Sequence, residues 1–95
     1  MIVRRDYKVP GGKLLRVELE VESDRVVKAV VRGDFFAYPE DAFEEAEAAL
    51  AGQSVDSLCD VALTVFGKSP LRIFGASPLD ISRALEETVR EAQAH

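Results

Sequence analysis

Lys8-Val9-Pro10-Gly11-Gly12-Lys13-Leu14-Leu15-Arg16 brings three cations and a glycine pair into nine positions. Glycine lets a backbone take positive φ or approach another molecule closely at little steric cost. Lys8 and Lys13 at either side of such a loop, with Arg16 just beyond, could meet a phosphate or another anionic group. The same string also reads as an ordinary turn between two strands with solvated lysines. About twenty residues later the chain runs Gly33-Asp34-Phe35-Phe36-Ala37-Tyr38. Asp34 could cap a turn or hold a lysine from the glycine loop. Three aromatics so close behind a strand predict that at least two cap the core and that the remainder faces outward as a partner anchor.

Other chemistry finds few residues to carry it. His95 is the single histidine and is terminal, and Cys59 is the single cysteine, so no soft or imidazole cluster suits zinc. Cys59 lies in an apolar helical context and has no internal histidine to activate it, which predicts a packing role. The serines lack a base as well. Glu44 with Glu45, and Glu86 with Glu87, are sequence neighbours that point apart on a helix, as solvated acids do. Neither a Walker A spacing nor a Gly-x-Gly-x-x-Gly string is present.

The elements that must position the loop begin with strands. Asp6 to Val9 predicts a short first strand stopped by Pro10-Gly11-Gly12. Leu15, Val17, Leu19 and Val21 alternate with Arg16, Glu18, Glu20 and Glu22, the period of a strand with one buried face. A third strand from Val26 to Arg32 places Val27, Ala29 and Val31 on one side. A two-residue turn at Ser23-Asp24 would mix charge into both faces, so a three-residue loop, Glu22-Ser23-Asp24, is expected. It sets Leu19 opposite Val27, Leu15 opposite Val31 and Glu18 opposite Lys28.

Helical signals follow. Pro39-Glu40-Asp41 reads as a first turn, Phe43, Ala46 and Leu50 as its apolar stripe, and Gly52 as its stop. A second helix is expected from about Val55 to Phe66 on Leu58, Val61, Ala62 and Val65. Ser77-Pro78-Leu79-Asp80 is a capping-box start, and Ile81, Ala84, Leu85, Val89 and Ala92 line the helix behind it. The fold class predicted is α+β: an antiparallel sheet of about three strands with about three helices on one face, residues 1–95 forming a single domain.

Composition agrees with that size. The chain has 95 residues, 47% hydrophobic and 31% charged, with a net charge of −5. Residues 1–33 carry eight Lys/Arg against five acids, whereas residues 34–95 carry four against twelve, or +3 and −8. An acidic total argues against general nucleic-acid binding, which needs a clustered basic surface. No apolar run reaches the roughly 18 residues of a membrane span, and the N-terminus lacks a signal-peptide core; a cytoplasmic location with no membrane partner is expected.

Lys8 to Leu15, the strand-loop-strand behind it, Gly33-Asp34-Phe35-Phe36, the acidic helix ending Leu50-Ala51-Gly52, and Ile73-Phe74-Gly75-Ala76-Ser77-Pro78-Leu79-Asp80 resemble, in this order, the C-terminal accessory domain of lipoate-protein ligases. Gln53 to Arg72 departs most from that family. The length and the start at Met1 resemble the separate small subunit of a bipartite ligase. The resemblance implies an accessory subunit, not active alone, that forms a heterodimer with a catalytic large subunit. In this family the pair activates lipoate with ATP to lipoyl-AMP and then transfers the lipoyl group to a lysine of an acceptor domain, a partner met indirectly. ATP, Mg2+ and lipoate are then expected in the large subunit, with no cofactor or metal held by this chain alone. Lys13, with Lys8 or Arg16, becomes a candidate to approach the phosphates or adenylate, on the flexibility of Gly11 and Gly12. Asp34, Phe35, Phe36 and Tyr38 become the candidate partner interface. The bland version keeps these basic residues only as salt-bridge partners of the large subunit. Two other readings stand beside it. A generic protein-interaction module of unknown partner fits the composition, whereas a lipoyl or biotinyl acceptor would need more strands and a lysine at a hairpin tip.

Overall fold

Alternation in the first third of the chain builds a three-stranded antiparallel sheet. The computed structural model describes residues 1–94, and His95 lies outside them. β1 (Ile2–Lys8), β2 (Leu14–Glu22) and β3 (Arg25–Gly33) pair in sequence order. β1 thus begins four residues earlier than the sequence pattern suggests, its inner face running through Val3 and Tyr7. Leu15, Val17 and Leu19 of β2 are fully or almost fully buried, as period-two patterning requires.

The β2–β3 register corrects the expected one. Val17 faces Val31, Leu19 faces Ala29, Leu15 faces Gly33 and Glu20 faces Lys28, while Glu18 lies between Arg4 and Val30. The connection is the two-residue turn Ser23-Asp24, both at positive φ (50° and 60°) as a type I′ hairpin requires. The mixed faces that argued against this turn are avoided by a bulge: Glu20 pairs with Lys28 but Val21 pairs with Val26, leaving Val27 as the extra residue. Val26 is therefore buried and Val27 is 49% exposed, the reverse of the expected facing.

Helices cover one face of this sheet. α1 (Glu40–Ala48) packs on the end of β3 through Phe43 and Ala46, and Leu50 is buried just beyond it. Pro39 stands one position outside the helix, as its N-cap, and its carbonyl accepts from Phe43 N–H at 3.2 Å. α2 (Leu58–Phe66) starts three residues later than expected and buries Leu58, Ala62 and Phe66, with Val61 and Val65 half-buried. α3 (Pro78–Gln93) crosses beneath β1 and β2 and also packs on α2. Its start is a complete capping box: Ser77 Oγ accepts from Asp80 N–H at 3.1 Å, and Asp80 Oδ2 accepts from Ser77 N–H at 2.9 Å. Ile81, Ala84, Leu85, Val89 and Ala92 are all buried, as their spacing of three and four demands.

A second, two-stranded sheet was not legible from the pattern. β4 (Phe36–Tyr38) and β5 (Arg72–Phe74) pair antiparallel, with Phe36 facing Phe74, Ala37 facing Ile73 and Tyr38 facing Arg72. The outer edge of β3 is met by coil and by a side chain. At β3, Val26 exchanges backbone hydrogen bonds with Gly52 and Gln53, and Glu47 Oε2 accepts from Val31 N–H at 2.8 Å. At β1, Arg5 reaches Glu87 and Glu91 of α3 at 3.1 and 3.3 Å.

Candidate functional site

The turn between β1 and β2 is closed by its own backbone. Val9 N–H donates to the Lys13 carbonyl at 2.7 Å and Gly12 N–H donates to the Val9 carbonyl at 3.0 Å. Gly11 and Gly12 take φ of 103° and 106°, a region that costs an L side chain strain but glycine nothing. A Cβ at either would meet nothing within 4 Å, so the loop tip stands clear of the body. Lys8 and Lys13 are exposed at its two sides, and neither joins an ion pair among the described residues. Arg16 lies farther along, on the outer face of β2, with its Nε 3.7 Å from Asp6 Oδ1. Both groups are exposed, so that pair holds Arg16 only weakly.

Gly33-Asp34 fixes this loop against the rest of the chain. Gly33 faces Leu15 at φ 154°, and a Cβ there would run into the Leu14 carbonyl and lie 2.9 Å from Leu15 Cα. With that space empty, Asp34 N–H reaches the Leu14 carbonyl at 2.9 Å. The contact of Asp34 with the loop is made by its backbone; its exposed carboxylate holds neither lysine among the described residues.

Behind Asp34 the aromatics separate. Phe35 turns inward, its ring 5.5 Å from that of Phe43, which in turn lies 5.4 Å from Phe66. Phe36 and Tyr38 point out, 67% and 64% exposed. One aromatic of the three therefore caps the core, where at least two were expected. The reason is the ribbon: alternation along β4 sends Phe36 and Tyr38 to one side and Ala37 to the other. β5 repeats it, placing Phe74, 58% exposed, and Arg72 beside them with Ile73 inward. Phe74 and Arg72 were missed in the sequence, although Arg72-Ile73-Phe74 ending at Gly75 carries the alternation in its shortest form.

On the other side of β4, an open cleft of about 250 Å³ separates it from α1. Phe35, Ala37 and Phe43 line it with Glu40, Glu44 and Glu47. Glu47 is already engaged, accepting from Val31 N–H and from Arg32 Nη1, each at 2.8 Å.

Cys59 is half-buried, and burial first, with Glu86 nearby second, pushes its thiol above the ordinary range. A raised pKa leaves little thiolate at neutral pH, the opposite of an activated nucleophile. No group of three or more His, Cys, Asp or Glu side chains that could hold a metal ion occurs among the described residues. None of the helices described is long and apolar enough to cross a membrane.

Fold and site together define a small α+β domain whose exposed lysine-glycine loop and aromatic ribbon share one end of the sheet. No protein-family profile matches the chain. It is 33% identical over 61 residues to lipoate-protein ligase A subunit 2 of Thermoplasma acidophilum, a match spanning 64% of this chain and 64% of that protein. It also superposes with a TM-score of 0.76, at 28% identity, on a chain from a solved archaeal lipoylation system, a bipartite lipoate protein ligase and its E2 lipoyl domain from the same organism. That superposition covers 90% of this chain and 94% of the other. Sequence and structure thus agree on the resemblance first carried by the loop and Gly-Asp-Phe-Phe residues: the chain is similar to the accessory-subunit family of lipoate-protein ligases.

Proposed function

We propose that this chain is the accessory subunit of a bipartite lipoate-protein ligase, needed with a catalytic large subunit for ATP-dependent activation of lipoate. The observation that carries the reading is the likeness to a chain from a solved bipartite-ligase system, 94% of whose length is covered. In the first half-reaction a lipoate carboxylate oxygen attacks the α-phosphorus of ATP. The bond from that phosphorus to the bridging oxygen breaks, and pyrophosphate leaves with the electron pair. ATP, Mg2+ and lipoate are assigned to the large subunit, and lipoyl transfer to a lysine of an acceptor domain follows there.

This chain contributes cations. Lys13 sits at the base of a turn that stands clear of the body, free of ion pairs among the described residues, and its ammonium is a mobile point charge. When the subunits close, Lys13 stabilises the negative charge that grows on pyrophosphate, with Lys8 across the turn and Arg16 behind. Such a contact strengthens as charge develops, so it acts on rate more than on assembly. Lys13→Ala tests it by ATP-pyrophosphate exchange in the assembled complex. A fall of about tenfold or more with complex formation intact is expected, the scale of one lost charge contact in a transition state. Unchanged exchange by an intact complex would reduce the lysines to docking cations.

A further inference from the structure

The β4–β5 ribbon carries an apolar face that the fold does not use. Phe36, Tyr38 and Phe74 occupy neighbouring positions on one side of two paired strands, each more than half exposed, with Arg72 opposite Tyr38. An aromatic side chain buries about 150–250 Å² when covered. Three of them at these exposures offer roughly 300–450 Å², about half of the ~800 Å² one partner contributes to a standard interface. Rigid aromatics grouped at the centre of such an area are the typical anchors of binding.

Position indicates what covers it. The α1 acids Glu40, Glu44 and Glu47 line the cleft behind β4, so the charge on the outward face is that of Arg72. Asp34 N–H ties the start of the ribbon to Leu14, one residue beyond Lys13. A chain that grips the ribbon is therefore held beside the glycine loop.

Resting on the accessory-subunit reading, we propose that the outward face of the β4–β5 ribbon, Phe36, Tyr38 and Phe74 with Arg72 at its margin, is the anchor that seats this chain on the ligase large subunit. The receiving surface is an apolar pocket with an acidic group at its margin to meet Arg72. Held there, the exposed Lys13 side chain remains free to reach past the anchor. Docking and charge delivery thus belong to different residues.

The test is binding of the full chain to the large subunit from the same genome, measured by calorimetry. Phe36→Ser, Phe74→Ser and the Phe36→Ser/Tyr38→Ser/Phe74→Ser triple variant are compared with Ile2→Ser and Val27→Ser, exposed aliphatics elsewhere on the molecule. Thermal unfolding checks that each variant folds. Each ribbon single is expected to raise Kd about tenfold or more and the triple to abolish measurable binding. The two controls are expected to change Kd by less than about threefold. Unaltered binding by a folded triple variant would overturn the anchor while leaving the accessory reading intact. Absence of any complex with the wild-type chain would overturn both. Ribbon-dependent self-association in sedimentation would transfer the surface to a second copy and also overturn the proposal.

Discussion

At Gly33 the chain has no room for a side chain, because the Leu14 carbonyl occupies the place a Cβ would take. Gly33→Ala must therefore shift β2 or lose the Asp34–Leu14 hydrogen bond that seats the ribbon beside the loop. The expected loss is about 2–4 kcal/mol, from backbone strain plus a broken backbone hydrogen bond, and denaturant unfolding of the purified domain measures it. A change below about 0.5 kcal/mol, ordinary for a surface site, would contradict the close approach. At this scale the sequence was informative about which residues matter and less so about what they do. Gly33, Asp34 and Phe35 stood out by type, yet the Asp34 contact runs through its N–H, which every residue but proline has. Phe35 and Phe36 look alike in sequence. Their opposite fates depend on a strand of three residues, too short to display a period.

Elements with redundant signals were legible, and those resting on a single signal were not. α3 has a capping box, proline at its first position and an apolar stripe of five residues, and all three agree. β4 and β5 have three residues each, held by pairing partners over thirty positions apart. The β2–β3 hairpin failed for another reason: its turn, Ser23-Asp24, lacks the glycine that usually marks a type I′ turn. Its bulge shifts Val26 inward and Val27 outward. That exchange is measurable. Val26→Ala is expected to cost about 2 kcal/mol as a core truncation, whereas Val27→Lys should stay within about 0.5 kcal/mol as a surface change. Urea midpoints in the opposite order would restore the three-residue loop and the register first read from the pattern.

Across the whole molecule, basic strands and acidic helices divide the charge, and the loop and the ribbon meet at one end of the sheet. Their sharing of that end was not legible from sequence, since it depends on Asp34 bonding back to Leu14. Composition alone also left the purpose of the basic loop open. Under the proposed reading a large subunit gives it one, a reading that rests on the likeness to a chain from a solved bipartite-ligase system. An accessory chain of this sort should add little by itself and much in combination. The most direct measurement is lipoate-dependent ATP-pyrophosphate exchange by the large subunit from the same genome, with and without this chain. Exchange is expected in the mixture, with at most a trace, below about a hundredth of that rate, from either chain alone, equivalent to more than about 2.7 kcal/mol of barrier. Full exchange by the large subunit alone, unaltered when this chain is added, would contradict the accessory role.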